Sequence, residues 1–278
     1  MKLYVDVSSV EALVVTVGLK EKQKEFKTLS GLDDVKMALH LSPDGKLPLL
    51  VAPGGQKISG YQQILQFIGY EVDKLEQLDI GVNLVNRLTL ATCFHAKDLT
   101  QQIRWPFHTN HARLELRKAK TELIKHLATK FSTLRTKLEA DMDFCSSIDN
   151  ALNILSETEL FLKAIEDHLC DEERIGVWLH NATFSAPDCV LAAILVRLCQ
   201  LGQDTLWREG NLPGLNMFEV QALQRPSVLD TAQRKVHEND YEVFDKEPVE
   251  VKHARYAMYG ALALGGAYIF KKVFLNQK

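Results

Sequence analysis

The chain has 278 residues, of which 46% are hydrophobic and 25% are charged, and its formal net charge is −3. This length and composition support one large or two ordinary folded domains and exclude an intrinsically disordered chain. Its five cysteines are scattered and never form a Cys-x-x-Cys pair, which argues against a disulfide framework and a structural zinc site. Residues 1–7 carry an acid within their apolar run and predict a first strand, not a secretory signal. We therefore expect a protein kept in a reducing compartment, on the cytosolic side.

The first seventy residues predict a small α/β domain. Apolar patterns predict strands at 3–7, 24–29, 47–51 and 56–59, and helices at 10–20 and 62–68, with Ser9 as the cap of the first helix. A central strand cannot use a residue without a backbone donor, so Pro48 must stand at a strand entrance, and a tight entry favours a cis Leu47–Pro48 bond.

This arrangement resembles the thioredoxin-like half of glutathione transferases. The resemblance implies that the backbone of Leu47 holds the γ-glutamyl part of glutathione, and that a catalytic hydroxyl or thiol follows the first strand, where Ser8 and Ser9 stand. The alternative for these serines is a plain helix cap. The acid and serine that the family places at the entrance of the next helix are absent. The residues of the resulting vestigial pocket are Leu47, Pro48, Ser59, Gly60 and Tyr61. We expect no required cofactor and, at best, weak binding of glutathione.

Positive charge is concentrated in one stretch of the second half. Residues 97–137 carry ten Lys or Arg against three acids, a net charge of +7, so the rest of the chain sums to −10. The sequence predicts one basic helix over about 111–142, with a single apolar stripe. Such a face favours acidic protein or lipid surfaces as partners, and the alternative is a solvated face of packed helices. The candidate contact residues are Arg113, Arg117, Lys118, Lys120 and Lys125.

Two further ligand classes are disfavoured by the same stretch. Few aromatic side chains are interleaved with the basic residues, which argues against nucleic acid. His108 and His111 have no Cys, Asp or Glu that completes a ligand set, so we predict no metal site.

A capping box marks the most apolar helix of the second half. Ser185 precedes Asp188 by three residues at the mouth of an apolar helix predicted over 190–201. Further helices are predicted over 78–95 and 151–169. The glutathione transferase fold buries such a box at the start of its central helix, where it satisfies the backbone donors of the helix end. The predicted fold class is an α/β thioredoxin-like N-terminal domain plus an all-α C-terminal domain, the glutathione transferase fold, with a C-terminal transmembrane helix.

The stretch after this helix resembles the ganglioside-induced differentiation-associated protein family. The residues that carry the resemblance are Arg197, Leu198, Leu201, Gly202, Trp207, Gly210, Pro213, Leu215, Leu223, Gln224 and Arg225. The family resemblance implies an inserted helical segment, a C-terminal membrane anchor and a role in mitochondrial fission at the outer membrane. The absence of the acid and the serine, where this chain has Gly60 and Tyr61, predicts weak or no catalysis. Two alternatives stay open, an active membrane-bound glutathione transferase and a metaxin-like subunit of mitochondrial protein import.

The C-terminal residues supply the predicted anchor. Residues 256–270 carry no charge and are flanked by Arg255, Lys271 and Lys272. Fifteen helical residues span about 22 Å, and tyrosines and snorkelling lysines extend that reach towards the hydrocarbon core of about 30 Å. A short span with basic flanks favours the mitochondrial outer membrane, with the N-terminal domains in the cytosol; the alternatives are the peroxisomal membrane and a buried helix. Ala257, Ala261 and Gly265 form a small-residue face that favours a homodimer.

The predicted domain boundaries follow from these patterns. A thioredoxin-like domain covers 1–72, and an all-helical domain covers 78–232 with a basic helical insertion at about 97–150. A linker occupies 233–252, and the membrane anchor occupies 254–275.

Overall fold

The N-terminal part of the molecule is a four-stranded mixed sheet with three helices. The computed structural model describes residues 1–100, 103–104, 107–127, 131–171, 176–180, 182–208 and 210–232. In chain order the elements are β1 (Lys2–Tyr4), α1 (Val10–Glu21), β2 (Lys27–Leu29), α2 (Leu32–Leu41), β3 (Leu49–Val51), β4 (Lys57–Ser59) and α3 (Tyr61–Phe67). The strand order is β2-β1-β3-β4, with β1 parallel to β2 and antiparallel to β3, and with β4 antiparallel to β3. This is the predicted thioredoxin-like arrangement, with α2 in addition.

All regular secondary structure in the described residues of the C-terminal part is helical. Its elements are α4 (Glu76–Leu99), α5 (Asn110–Leu127), α6 (Ser132–Cys145), α7 (Ile148–Leu169), α8 (Ala186–Gln200), a 3₁₀ turn (Asp204–Leu206), α9 (Pro213–Leu223) and α10 (Pro226–Ala232). The single basic helix predicted over 111–142 is wrong, because α5 ends at Leu127 and α6 begins at Ser132. Phe131, just before α6, has φ −131° and ψ 65°, which are not helical values. Residues 128–131 include no proline or glycine, so no local residue type predicts the break.

One large core joins the two parts, and α8 runs through it. The cluster contains Leu3 and Leu50 from the sheet, Val14 from α1, Leu88 from α4 and Leu191 from α8. Every residue of α8 except Cys199 is buried, so this helix has no solvated face. The shared core fixes the position of the sheet relative to the helical part and therefore fixes the cleft between them.

A second, smaller apolar cluster lies apart from this core. Val35 and Leu39 of α2 pack against Leu123 and Leu127 at the end of α5. Partly buried apolar residues complete the cluster: Leu32, Leu47, Phe131, Leu134 and Leu138. We call residues 123–127 and 131–138 the hairpin tip, since they form the adjoining ends of α5 and α6.

The predicted linker 233–252 and membrane anchor 254–275 lie outside the described residues, as do the anchor flanks Arg255, Lys271 and Lys272. Within residues 1–232, as far as they are described, no helix combines the length and apolar character that crossing a membrane requires.

Candidate functional site

A cleft of about 860 Å³ lies between the sheet, α4 and the hairpin tip. One wall is apolar and is made by leucines of α2, the loop before β3, α5 and α6: Leu39, Leu47, Leu123, Leu127, Leu134 and Leu138. The other wall is polar and comes from the loop after β1, the start of α3 and the inner face of α4: Asp6, Ser8, Ser9, Glu11, Gln62, Asp79, Asn83 and Asn86. All five residues predicted for the vestigial pocket lie in or beside this cleft, and Ser8 and Ser9 line it.

Ser8 and Ser9 both form hydrogen bonds within the protein. The Ser9 hydroxyl accepts a hydrogen bond from the backbone N–H of Ala12 at 3.2 Å and caps α1. The hydroxyl of Ser8, a residue that is only 4% exposed, donates to Asp6 Oδ1 at 2.6 Å. Arg197 of α8 donates to the carbonyl oxygens of Val7 and Ser9 at 2.7 and 3.3 Å and fixes this loop from below. The geometry therefore gives both serines a structural role.

The first turn of α1 is satisfied by α4. The side-chain oxygen of Asn86 accepts a hydrogen bond from the backbone N–H of Val10 at 2.8 Å, and its amide donates to Glu11 at 2.8 Å. Burial raises the pKa of Glu11, and hydrogen bonding opposes that rise. A helix N-terminus can hold an anion through its free N–H groups, but here Asn86 and Ser9 occupy those of Val10 and Ala12.

Lys120 reaches from α5 into the cleft and forms an ion pair and hydrogen bond with Asp6. The two side chains are only 12% and 17% exposed. Burial alone would raise the pKa of Asp6, but the charge of Lys120 and hydrogen bonds from Lys120 and Ser8 outweigh it and hold the pKa below the usual 3.8. The pair joins α5 to the loop after β1, which contains Ser8 and Ser9.

The loop before β3 presents an unpaired backbone unit to the cleft. The Leu47–Pro48 peptide bond is cis, as predicted. The carbonyl of Pro48 accepts a hydrogen bond from Gly60 at 2.9 Å, whereas the structure gives the N–H and C=O of Leu47 no hydrogen-bond partner among the described residues. Ser59 is engaged, because its hydroxyl donates to Asp44 at 2.7 Å. Leu47 therefore has one backbone donor and one backbone acceptor without a partner among the described residues.

The start of α3 carries Gly60 and Tyr61 in place of an acid and a serine. Gly60 has φ +82°, which favours glycine, and Tyr61 donates its hydroxyl to Asp79 of α4. Gln62 donates to the other oxygen of Asp79 at 2.8 Å. Burial raises the pKa of Asp79. The Tyr61 hydroxyl and the Gln62 amide, two side-chain donors at this helix entrance, therefore both bind Asp79.

The comparisons with known proteins bear on the fold. No protein-family model matches the chain, and no curated protein sequence matches it. A β-etherase from Sphingobium sp. strain SYK-6 aligns over 83% of this chain and 97% of its own, at 15% identity and a TM-score of 0.56. A glutathione S-transferase III in apo form aligns over 83% and 94%, at 16% identity and a TM-score of 0.52. A glutathione S-transferase from Rhodospirillum rubrum aligns over 87% and 98%, at 16% identity and a TM-score of 0.51. This chain has the glutathione transferase fold.

The capping-box residues Ser185 and Asp188 are not among the residues that line the cleft. Asp188 is fully buried and accepts hydrogen bonds from the backbone N–H groups of Ser185 and Leu179, each at 2.8 Å. Burial raises the pKa of Asp188, while these hydrogen bonds oppose the rise. The box starts α8 and ties the segment around Leu179 to it, so its role is structural.

The five basic residues predicted to form one outward face do not all point outward. Arg113 is 8% exposed and donates to the carbonyl of Phe107 at 2.6 Å, and Lys120 is held by Asp6 inside the cleft. For these two residues the prediction needs correction, because the apolar stripe of α5 turns them inward. Arg117 is half-buried, with its guanidinium 5.1 Å from the ring centre of Phe94. Lys118 and Lys125 have exposed side chains.

Lys118 and Lys125 are each paired with a glutamate three residues earlier. Lys118 lies 2.7 Å from Glu115, and Lys125 lies 2.7 Å from Glu122. The two glutamates reduce the net positive charge of the outer face of α5.

The described residues contain no cluster of three or more His, Cys, Asp or Glu side chains that could hold a metal ion.

Sequence reasoning missed α2, Asp79 and Asn86. The helical spacing of Val35, Ala38 and Leu39, with acids in the first turn, is a signal that could have found α2. No local sequence pattern identifies Asp79 or Asn86, because each forms hydrogen bonds with residues of the sheet domain that are distant in sequence.

Proposed function

We propose that this chain is a tail-anchored protein of glutathione transferase fold in the mitochondrial outer membrane. Its folded domains face the cytosol, act as an adaptor in mitochondrial fission and organisation, and have weak or no catalysis. The proposal joins the fold to the resemblance of residues 197–225 to the ganglioside-induced differentiation-associated protein family.

One observation carries the catalytic part of the proposal: the Ser8 and Tyr61 hydroxyls of the cleft already donate hydrogen bonds to carboxylates of the protein. Ser8 is bonded to Asp6, Ser9 caps α1, and Tyr61 is bonded to Asp79. A catalytic hydroxyl needs a free position beside the sulfur of its ligand, and the γ-glutamyl group needs an acid and a hydroxyl that are not otherwise engaged. Among these residues, the Ser8 and Tyr61 hydroxyls are engaged as donors, whereas Ser9 accepts its hydrogen bond and is the hydroxyl whose removal tests for catalysis.

The alternative, an active membrane-bound glutathione transferase, is favoured by one feature. Leu47 lines the cleft, and its N–H and C=O have no partner among the described residues. An extended peptide-like ligand could pair with both groups. This makes the affinity for glutathione the quantity that separates the two functions.

Calorimetric titration of the full-length chain in mild detergent with glutathione tests the choice. We expect no binding, or binding weaker than micromolar, because two lost charge-assisted hydrogen bonds are worth about 1.5 to 3 kcal/mol each, or about one to two decades of affinity apiece. The Ser9→Ala variant serves as the control for chemistry. Micromolar affinity, or a conjugation activity that Ser9→Ala abolishes, would establish the enzyme instead of the adaptor.

Carbonate extraction of mitochondria tests the anchor. We expect the full chain to stay in the membrane pellet, and a chain that ends at Val251 to be released. Leu264→Arg places a charge near the middle of the apolar segment at a cost of about 2.5 to 3.5 kcal/mol on insertion scales, enough to release much of a short anchor. If the full chain washes off, or if all three forms stay in the pellet, the proposed anchor is wrong.

A further inference from the structure

We propose that the hairpin tip is a lid, docked in a closed position over Leu47, which must lift before an extended ligand can reach the backbone of the cleft. The inference rests on the proposed function only in that it concerns the ligand cleft of the same fold. It adds a device that controls access to that cleft, and it holds whether the eventual ligand is glutathione or another peptide-like molecule.

The tip is packed separately from the rest of the molecule. Leu116 in the first half of α5 and Cys145 at the end of α6 belong to the large core. Leu123 and Leu127, by contrast, belong to the small cluster with α2. The roots of the two helices therefore belong to the large core, while the apolar contacts of the described tip residues belong to the small cluster. Segments held by few buried apolar contacts open at a lower free energy than the global unfolding of the protein.

The tip closes directly on the turn that leads to Leu47. Gly45 has φ +71°, and a Cβ atom placed on it would lie 2.8 Å from a methyl group of Leu134 and 2.9 Å from the ring of Phe131. The side chains of Phe131 and Leu134 therefore contact the backbone of Gly45 directly. Leu47 itself is part of the small cluster, so the apolar side of the tip covers the residue whose backbone is unpaired.

Two further contacts, an ion pair and a ring contact, join this region to the sheet domain. Lys120, one turn before the tip, is the residue that pairs with Asp6 in the sheet domain. The ring of His126 meets the ring of His40 of α2 edge to face, with 4.6 Å between the ring centres. At its root, α6 is tied to the helical part through Arg87 and Asp141, at 2.8 Å. The contacts towards the sheet domain can break while the root contact remains.

A closed lid of this kind lowers the apparent affinity of the cleft. If the open form is a minor state, the measured dissociation constant is raised by the reciprocal of its population. A change that opens the tip should raise the accessibility of the cleft without changing the large core. Opening is therefore measurable without any ligand.

Hydrogen exchange on the full-length chain tests the lid, with Gly45→Ala as the opening variant. The new methyl group must displace Phe131 and Leu134, so we expect exchange of peptides from 121–127 and 131–138 to accelerate by about tenfold or more, with α8 unchanged. Gly54→Ala is the matched control, because Gly54 also has a positive φ, +88°, but nothing within 4 Å of its added Cβ. Gly54→Ala therefore imposes a similar backbone strain without displacing any side chain of the tip. Leu134→Ala opens the tip from its own side without touching the turn, and should accelerate exchange of the same peptides.

Three outcomes would overturn the lid: tip peptides as protected as α8 in the unaltered protein and in both opening variants, equal acceleration by Gly54→Ala, or acceleration spread over α8. Adding glutathione to the Gly45→Ala and Leu134→Ala proteins separates the lid from the proposed function. Faster exchange of the tip peptides without glutathione binding supports the lid and is consistent with the proposed adaptor function. Faster exchange with micromolar glutathione binding supports the lid and overturns the weak-binding part of the proposed function.

Discussion

Two helices of nearly equal length, α8 and α6, show how differently one chain can stabilise the same secondary structure. The 15 residues of α8 are buried except for Cys199, and its first turn is fixed by the Ser185–Asp188 capping box. The 14 residues of α6 include one buried side chain, Cys145, and Phe131 before it provides no side-chain cap. The central helix is stabilised by the large core. The stability of α6 depends on the packing of its first half against the small apolar cluster.

The comparison predicts that the same substitution has different consequences in the core and at the hairpin tip. Leu191 of α8 is fully buried in the large core, whereas Leu123 of α5 is 7% exposed in the small cluster. Leu191→Ala should lower the free energy of unfolding by about 2 to 5 kcal/mol, the range for buried leucines. Leu123→Ala should cost about 2 kcal/mol or less, since the tip can rearrange around the missing side chain.

Denaturant unfolding followed by tryptophan fluorescence measures this difference, because Trp178 and Trp207 lie in the large core. Both variants lose the same atoms from a helix, so each is a control for the other. Equal losses of global stability would mean that the tip and the core unfold as one unit, and that the small cluster has no independence.

The same contrast explains what the sequence could and could not predict. The capping box was predictable because Ser185 and Asp188 are three residues apart and satisfy each other within one helical turn. The strand entered through Pro48 was predictable because proline restricts its own backbone. Both features depend on near neighbours in the chain.

The cleft was harder to predict, because its contacts join residues far apart in sequence. Asp6 meets Lys120, and Glu11 meets Asn86. Local charge counting assigned Lys120 to an outward face, since nothing in its own helix shows that an acid of the sheet domain lies opposite. Arg113 turns towards the carbonyl of Phe107 and Lys120 towards Asp6, and no pattern local to α5 shows either contact.

The smallest expected effect concerns the ion pair that holds the tip. The pKa of Asp6 lies below 3.8 in the folded protein, so the folded state binds the proton more weakly than the unfolded state does. The pair therefore contributes its full stability above about pH 4, and that contribution is lost as the pH falls below 3.8 towards the lowered pKa. At pH 6, Asp6→Asn should cost about 1.5 kcal/mol, typical of a hydrogen bond to a charged group.

Chemical unfolding at pH 6 and at about pH 3 measures the expected convergence of Asp6→Asn with the unaltered protein. Asp230→Asn is the matched control, because the Asp230 side chain is 66% exposed in its pair with Lys20, and an exposed pair is worth about 0.2 to 1 kcal/mol at most. A gap between Asp6→Asn and the unaltered protein that is the same at both pH values would show that the carboxylate charge does not stabilise the closed tip. A gap that narrows in acid while that of the control stays constant would assign the stabilisation to the charged form of Asp6, and Lys120 is the cation that faces it.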